Sequence, residues 1–128
     1  MRPIKFRLWD KVNKRMVEKP SVLFPDHRGF FWTADPRNKW LSDMEAELMQ
    51  FTGLLDKNGK DIYEGDILEW SVWPDEEGNA KRIRDSIEFR HGAFATSQRY
   101  QLLATLEPHR TLEIVGNIYE NPDLVPSE

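Results

Sequence analysis

Between Asp56 and Asp66 the chain reads DKNGKDIYEGD, which crowds the oxygen-bearing side chains of Asp56, Asn58, Asp61, Glu64 and Asp66 into one short window. Two kinds of chemistry use such a window. A calcium loop of the EF-hand type needs ligands at positions 1, 3 and 5, glycine at 6 and an acid at 12. Counted from Asp56, positions 5, 6 and 12 hold Lys60, Asp61 and Ile67, so three requirements fail. A pair drawn from Asp61, Glu64 and Asp66 could instead act as general acid and base, provided their surroundings push the two pKa values apart. No histidine stands in the window, and turn chemistry accounts for the same residues. Asn58-Gly59 offers the positive-φ conformations of a hairpin loop, and Asp66 after Gly65 suits a side chain that accepts backbone N–H groups. No catalytic residue and no metal ligand is assigned on this pattern.

Elsewhere the signatures of catalysis are missing. His27, His91 and His109 have neither i, i+4 spacing nor an HExxH context. The seven glycines are scattered and form no phosphate-cradling loop, so no cofactor is expected. No serine sits in a nucleophile elbow. The chain has no cysteine, which excludes disulfides, thiolate zinc and a cysteine nucleophile and suits an intracellular setting. What remains of an enzyme reading is a small hydrolytic enzyme built on Asp61, Glu64 or Asp66.

The other constellation is aromatic and basic. Phe6, Trp9, Trp32, Trp70 and Trp73 are interleaved with Arg7, Arg15, Arg28 and Lys81. Small β domains bind peptides or single strands by stacking on aromatics set in charged grooves. Trp9, Trp73, Arg7 and Lys81 are therefore the expected binding residues, for a protein or a nucleic-acid partner. The net charge of −4 weighs against phosphate binding driven by bulk charge, although Lys81, Arg82 and Arg84 cluster locally.

The elements that must position these groups are short. Ile4, Phe6 and Leu8 alternate with Lys5, Arg7 and Trp9, a period-2 strand that turns through Asp10–Lys14 and returns at Met16 and Val17. "SVLF" and "GFFWT" read as a second hairpin about "PDHRG", followed by a loop, "ADPRNKW". Ser42 and Glu45 form a capping box that favours a short helix through about Met49, while "ELMQFTG" also suits a strand; a helical turn is expected first and a strand from about Leu48. Ile67–Trp73 is a strand with Leu68, Trp70 and Val72 on its core face. A return run carries Ile83, Ile87 and Phe89 in phase, and Phe94 falls out of phase, which suggests a bulge or bend at Gly92. "YQLLATLEP" fits a strand or a short helix, and Leu112–Ile118 closes as a strand.

These runs, in a chain of 128 residues, predict one mainly β domain over residues 1–128, with a β-rich α+β fold as the alternative. The expected architecture is a small, partly open, SH3-like or more complex β-barrel of short antiparallel strands with at most one or two short helices. No apolar run approaches the ~18 residues of a membrane span, and the basic N-terminus lacks the apolar core of a signal peptide.

Three blocks carry a family resemblance: "IKFRLWDKVNKRMV", "LMQFTGLLDKNGKDIYEGDIL" and "EIVGNIYENPDLV". Through them the chain resembles the YopX family, small proteins of bacterial phages and prophages. The matching positions are Trp9, Asp10, Thr52, Gly53, Leu54, Asp56, Asn58, Gly59, Tyr63, Gly65, Asp66, Gly116, Asn117, Tyr119 and Asn121. The resemblance implies a β-rich, barrel-like accessory protein acting in the cytoplasm of a host bacterium, with no established catalytic set to transfer. The expected role is a non-enzymatic binding module for an unidentified protein or nucleic-acid partner. Single-stranded nucleic-acid binding is the alternative mode, and homo-oligomerisation is a further alternative.

Overall fold

A computed structural model of the chain describes residues 4–18, 20–23, 32–34, 40–41, 44–72, 77–79, 81–98, 101–106 and 112–125. Among them are eleven strands, one four-residue helix and a 3-10 turn at Pro122–Leu124, so the fold is mainly β, as the short punctuated runs predict. The chain divides into two compact units, Pro3–Phe51 and Thr52–Glu128.

The first unit holds β1 (Phe6–Asp10), β2 (Arg15–Val17), β3 (Ser21–Leu23), β4 (Trp32–Ala34), β5 (Trp40–Leu41) and the first half of β6 (Ala46–Leu55). The expected β1–β2 hairpin forms because Asp10 closes it. Its Oδ1 accepts the N–H groups of Val12 (2.9 Å) and Asn13 (3.0 Å), and its Oδ2 accepts Asn13 Nδ2 (2.8 Å). β1 lies between β2 and β6, with Leu8 opposite Val17 on one side and Leu48 on the other. Leu8, Val17 and Ala46 are buried together there, each Leu- or Val-sized side chain contributing about 1.5–3 kcal/mol.

The helix predicted from Ser42 and Glu45 is not formed. Residues 44–45 are a turn, and β6 begins at Ala46, pairing residue by residue with β1 from Ala46↔Asp10 to Gln50↔Phe6. A capping box can favour a first turn, but so short a helix gains little by itself and forms only where tertiary packing holds it. The antiparallel ladder satisfies the same backbone groups at once. β3 and β4 pair through Ser21↔Ala34, which joins the two runs read as a hairpin; its "PDHRG" turn lies outside the described residues. Where a loop was expected, Trp40 and Leu41 form β5 against β4.

The second unit holds the rest of β6, β7 (Asp61–Tyr63), β8 (Asp66–Val72), β9 (Lys81–Arg90), β10 (Ala93–Thr96), α1 (Leu103–Leu106) and β11 (Glu113–Asn117). One sheet runs β10-β9-β8-β11. Leu68 and Trp70 do take the core face, buried with Ile62, Ile83, Ile87, Leu103 and Leu112. The bend expected at Gly92 is a complete two-residue turn. His91 (φ 55°) and Gly92 (φ 80°) both enter the left-handed region, the type I′ requirement whose twist matches the strands it joins. The turn sets Phe94 directly opposite Phe89, so the lost phase marks a second strand. After β10, Leu102 bridges back to Ala95 before α1, the short-helix alternative for this segment.

Candidate functional site: an apolar pocket in the second unit

The acidic window folds as a hairpin between β6 and β7. Gly59 N–H donates to the Asp56 carbonyl (3.0 Å) and Asp56 N–H to the Lys60 carbonyl (2.9 Å). Only Gly59 takes positive φ (80°); Asn58 does not, so the expectation that both would is corrected. The Asp56 carboxylate is fully engaged. Oδ1 accepts from the N–H groups of Asn58 (2.8 Å) and Lys60 (2.9 Å), and Oδ2 accepts from Ile114 N–H (3.1 Å) on β11. Burial works to raise the Asp56 pKa, but these donors and the Lys60 charge outweigh it and hold the carboxyl below its ordinary value.

Asp66 is buried, and its Oδ2 accepts Tyr63 N–H (2.8 Å), closing the turn that Gly65 (φ 83°) makes possible. Asp61 and Glu64 are half-buried on either side of Tyr63. At the end of β11, Asn117 Oδ1 accepts from Tyr119 and Glu120, and Asn121 Oδ1 reaches back to Asn117 N–H across Gly116. Thr52 Oγ1 donates to the Ile62 carbonyl (2.7 Å) and accepts Leu54 N–H. Among the residues that carry the family resemblance, Asp10, Thr52, Asp56, Asp66, Asn117 and Asn121 thus close turns or stitch strands. Among the described residues no three acidic, histidine or cysteine side chains are grouped to hold a metal ion.

Of the expected binding residues, Trp9 and Arg7 belong to the first unit and Lys81 to the second. Trp9 and Arg7 share one face of β1 and are each 7% exposed, so neither presents an open surface for stacking or phosphate contact. Lys81 is exposed at the start of β9, and Trp73 lies outside the described residues. Two arginines of the basic cluster beside Lys81 share one carboxylate, that of Glu69. Arg84 Nε and Nη2 donate to Glu69 Oε2 (3.0 and 2.7 Å), and Arg82 Nη1 bonds Glu69 Oε1. Arg84 first and Arg82 second hold the Glu69 carboxyl below its ordinary pKa.

A concave feature lies elsewhere, where the core face of the β9–β10 hairpin runs past the packed interior. A pocket of about 340 Å³ opens between Thr52–Leu54 of β6, the Phe89/Phe94 pair, the Gly92–Ala93 turn and Leu102–Ala104. Phe89 and Phe94 meet edge to face with ring centroids 5.0 Å apart. Phe89 is 51% exposed and Leu102 42%, while Leu103 beneath is buried. The hydroxyl in the lining, Thr52 Oγ1, is already bonded on both sides, and the other lining side chains are apolar. The volume falls in the range of small-ligand pockets. Sequence reading missed it for lack of the hairpin. Had His91-Gly92 been read as a two-residue turn, Phe89 and Phe94 would have been paired.

The fold and site define a mainly β protein of antiparallel strands, with Asp56 and Asp66 closing turns and an apolar pocket in its second unit. The family model described as "YopX protein" matches residues 5–126, and the chain belongs to that family. Its structure is similar to that of protein EF1440 from Enterococcus faecalis, with 26% identity and a TM-score of 0.74 over 98% of this chain and 100% of that one. It is also similar in fold to protein yopX from Bacillus subtilis, with 20% identity and a TM-score of 0.67 over 100% of this chain and 99% of that one. No curated protein matches the chain. Among the described residues no helix is long and apolar enough to cross a membrane.

Proposed function

We propose that this chain is a non-enzymatic binding module for a protein partner, encoded by a phage or prophage and acting in the host cytoplasm. The observation that carries the reading is the pocket beside Phe89 and Leu102, two large apolar side chains left about half exposed. Exposed apolar surface around a concave site is typical of recognition surfaces. The engagement of Asp56 and Asp66 by backbone N–H groups weighs against acid/base chemistry in the acidic window. The chain's net charge of −4 weighs against phosphate binding driven by bulk charge.

The test is a photo-crosslinking residue in place of Leu102 in the full chain, expressed in its bacterial host. A specific protein adduct is expected, lost when Ala104→Trp fills the pocket, together with flat oligonucleotide titrations. Saturable, salt-sensitive oligonucleotide binding without a protein adduct would overturn the reading in favour of single-stranded nucleic acid. Light scattering at two concentrations exposes the remaining outcome, a homo-oligomer joined through this surface.

A further inference from the structure

Asn58-Gly59 is the one Asn-Gly step in the chain, and it stands at the tip of the hairpin between β6 and β7. Asn58 is exposed, and its side-chain amide makes no hydrogen bond among the described residues. Gly59 is exposed as well, and a Cβ placed there would meet nothing within 4 Å among them. Having no side chain, glycine leaves the approach to its own nitrogen unshielded. A free asparagine amide beside such a nitrogen can react without an enzyme, because attack through a five-membered ring is intramolecular.

The same turn holds a brake. Gly59 N–H donates to the Asp56 carbonyl (3.0 Å), and the N–H groups of Asn58 (2.8 Å) and Lys60 (2.9 Å) donate to Asp56 Oδ1. A nitrogen whose proton is held in a hydrogen bond is a poor nucleophile until the turn opens. Exposed hairpin tips open at far lower cost than the whole fold.

From this combination we propose that Asn58 is a site of spontaneous deamidation, throttled by the turn that Asp56 closes and released by local opening of the hairpin tip. In the open loop a solvent hydroxide takes the Gly59 amide proton, and the nitrogen attacks Asn58 Cγ. The N–Cγ bond forms, the Cγ–Nδ2 bond breaks, and ammonia leaves with a proton from water. Water then opens the cyclic imide. Breaking the new N–Cγ bond gives aspartate, and breaking the original peptide C–N bond gives isoaspartate. Either product sets a carboxylate near Asp56, and isoaspartate also adds a methylene to the main chain. That added length takes Lys60 out of register with Asp56, whose Oδ2 accepts Ile114 N–H on β11. Deamidation is then a one-way loosening of the tie between the hairpin and β11. The inference does not rest on the binding-module reading.

The test follows the full chain, folded in warm, mildly alkaline buffer, by peptide mapping with mass spectrometry. The peptide carrying residues 56–63 should gain the mass of an amide-to-acid exchange and split into aspartate and isoaspartate forms. The chain unfolded in urea should convert about ten- to a hundredfold faster, and Asn58→Gln, whose ring would be larger, should convert at least about tenfold more slowly than wild type. Asp56→Ala, which takes the acceptor from Asn58 and Lys60, should convert several-fold faster than wild type while folded. Urea well below the unfolding midpoint should leave the folded rate nearly flat, since local opening exposes little surface, whereas global unfolding would make it climb steeply. That dependence separates an opened turn in Asp56→Ala from a less stable chain.

No product at Asn58 in the folded chain once the unfolded chain is fully converted would overturn the proposal. So would conversion confined to other asparagines, equal rates in the folded and unfolded chain, or a folded rate that climbs with urea as global unfolding does. The Leu102 crosslink is indifferent to all of these outcomes, so this inference and the binding-module reading fail separately.

Discussion

Gly116 shows how little room one residue has. It sits in β11 between Ile114 and Asn117, where the ladder with β8 slips by one position. Its φ is not in the left-handed region, so backbone freedom is not what the position needs. Space is. A Cβ there would lie 2.5 Å from Asn121 Oδ1, 2.8 Å from its Cγ and 3.0 Å from its Cβ. The Asn121 oxygen cannot swing away without giving up Asn117 N–H, its partner at 3.2 Å. Gly116→Ala should therefore destabilise the protein by about 1–3 kcal/mol, the usual cost of forcing a methyl group into a filled site. Asn121→Ala removes the two closest atoms along with one hydrogen bond. In a double-mutant cycle the alanine at 116 should thus cost less in the Asn121→Ala background than alone. Urea midpoints followed by tryptophan fluorescence give all four values, and strict additivity would refute the steric account.

At the scale of elements, the turn between β9 and β10 places a histidine where asparagine or glycine is at home. His91 at φ 55° bears a left-handed backbone cost that asparagine reduces and glycine avoids. His91→Asn or His91→Gly should raise stability by about 0.5–1 kcal/mol, and His91→Val should lower it by about 1–2 kcal/mol. Thermal melts of the three variants decide it, and a valine variant as stable as wild type would show that the turn does not constrain this residue. The same turn marks the limit of what was legible in the sequence. Strands such as Phe6–Asp10 and Asp66–Val72 were readable because their apolar alternation is a signal local to the strand. The hairpin at Asp56–Lys60 was readable because Asn-Gly is a local signal. His-Gly is a weak one, so the β9–β10 return, the Phe89/Phe94 pair and the pocket they border went unread. The start of β6 was misread for a related reason. The capping signal at Ser42 and Glu45 is local, whereas the pairing of Ala46–Gln50 with β1 joins residues far apart in sequence. Arg7 and Trp9 are buried as fully as Leu8 and Asp10, so both faces of β1 are covered, which alternation alone does not reveal.

At the scale of the molecule, Asp10, Asp56 and Glu69 have depressed pKa values that tie stability to pH in one direction. Burial pushes Asp10 up, but the Asn13 side chain, the N–H groups of Asn13 and Val12 and the charge of Arg15 outweigh it and hold the carboxyl low. Asp56 is held low by backbone donors against the same pull of burial. Glu69 is held low by Arg84 and then Arg82. A carboxyl whose folded pKa lies below its unfolded value, about 4 for Asp and Glu, adds stability that is present above that value and lost as pH falls through the folded one. The unfolding midpoint in urea should therefore change little between about pH 7 and 5 on account of these groups and fall steadily below about pH 4. The causes of the shifts also separate the contributions. Arg82 and Arg84 are well exposed, at 67% and 39% of their side chains, so screening should weaken the Glu69 part. Asp56 relies on three backbone N–H groups, one of them 58 residues away, which salt does not screen in the same way. Asp56→Asn should lower stability at pH 7 by about 1–3 kcal/mol, since its amide would turn one donor toward another. It should also flatten the acid limb at both low and high salt, because the variant no longer takes up that proton on unfolding. Glu69→Gln should flatten the limb mainly at low salt. If Asp56→Asn left the acid limb as steep as in wild type, the link between β11 and the β6–β7 hairpin would not depend on that charge.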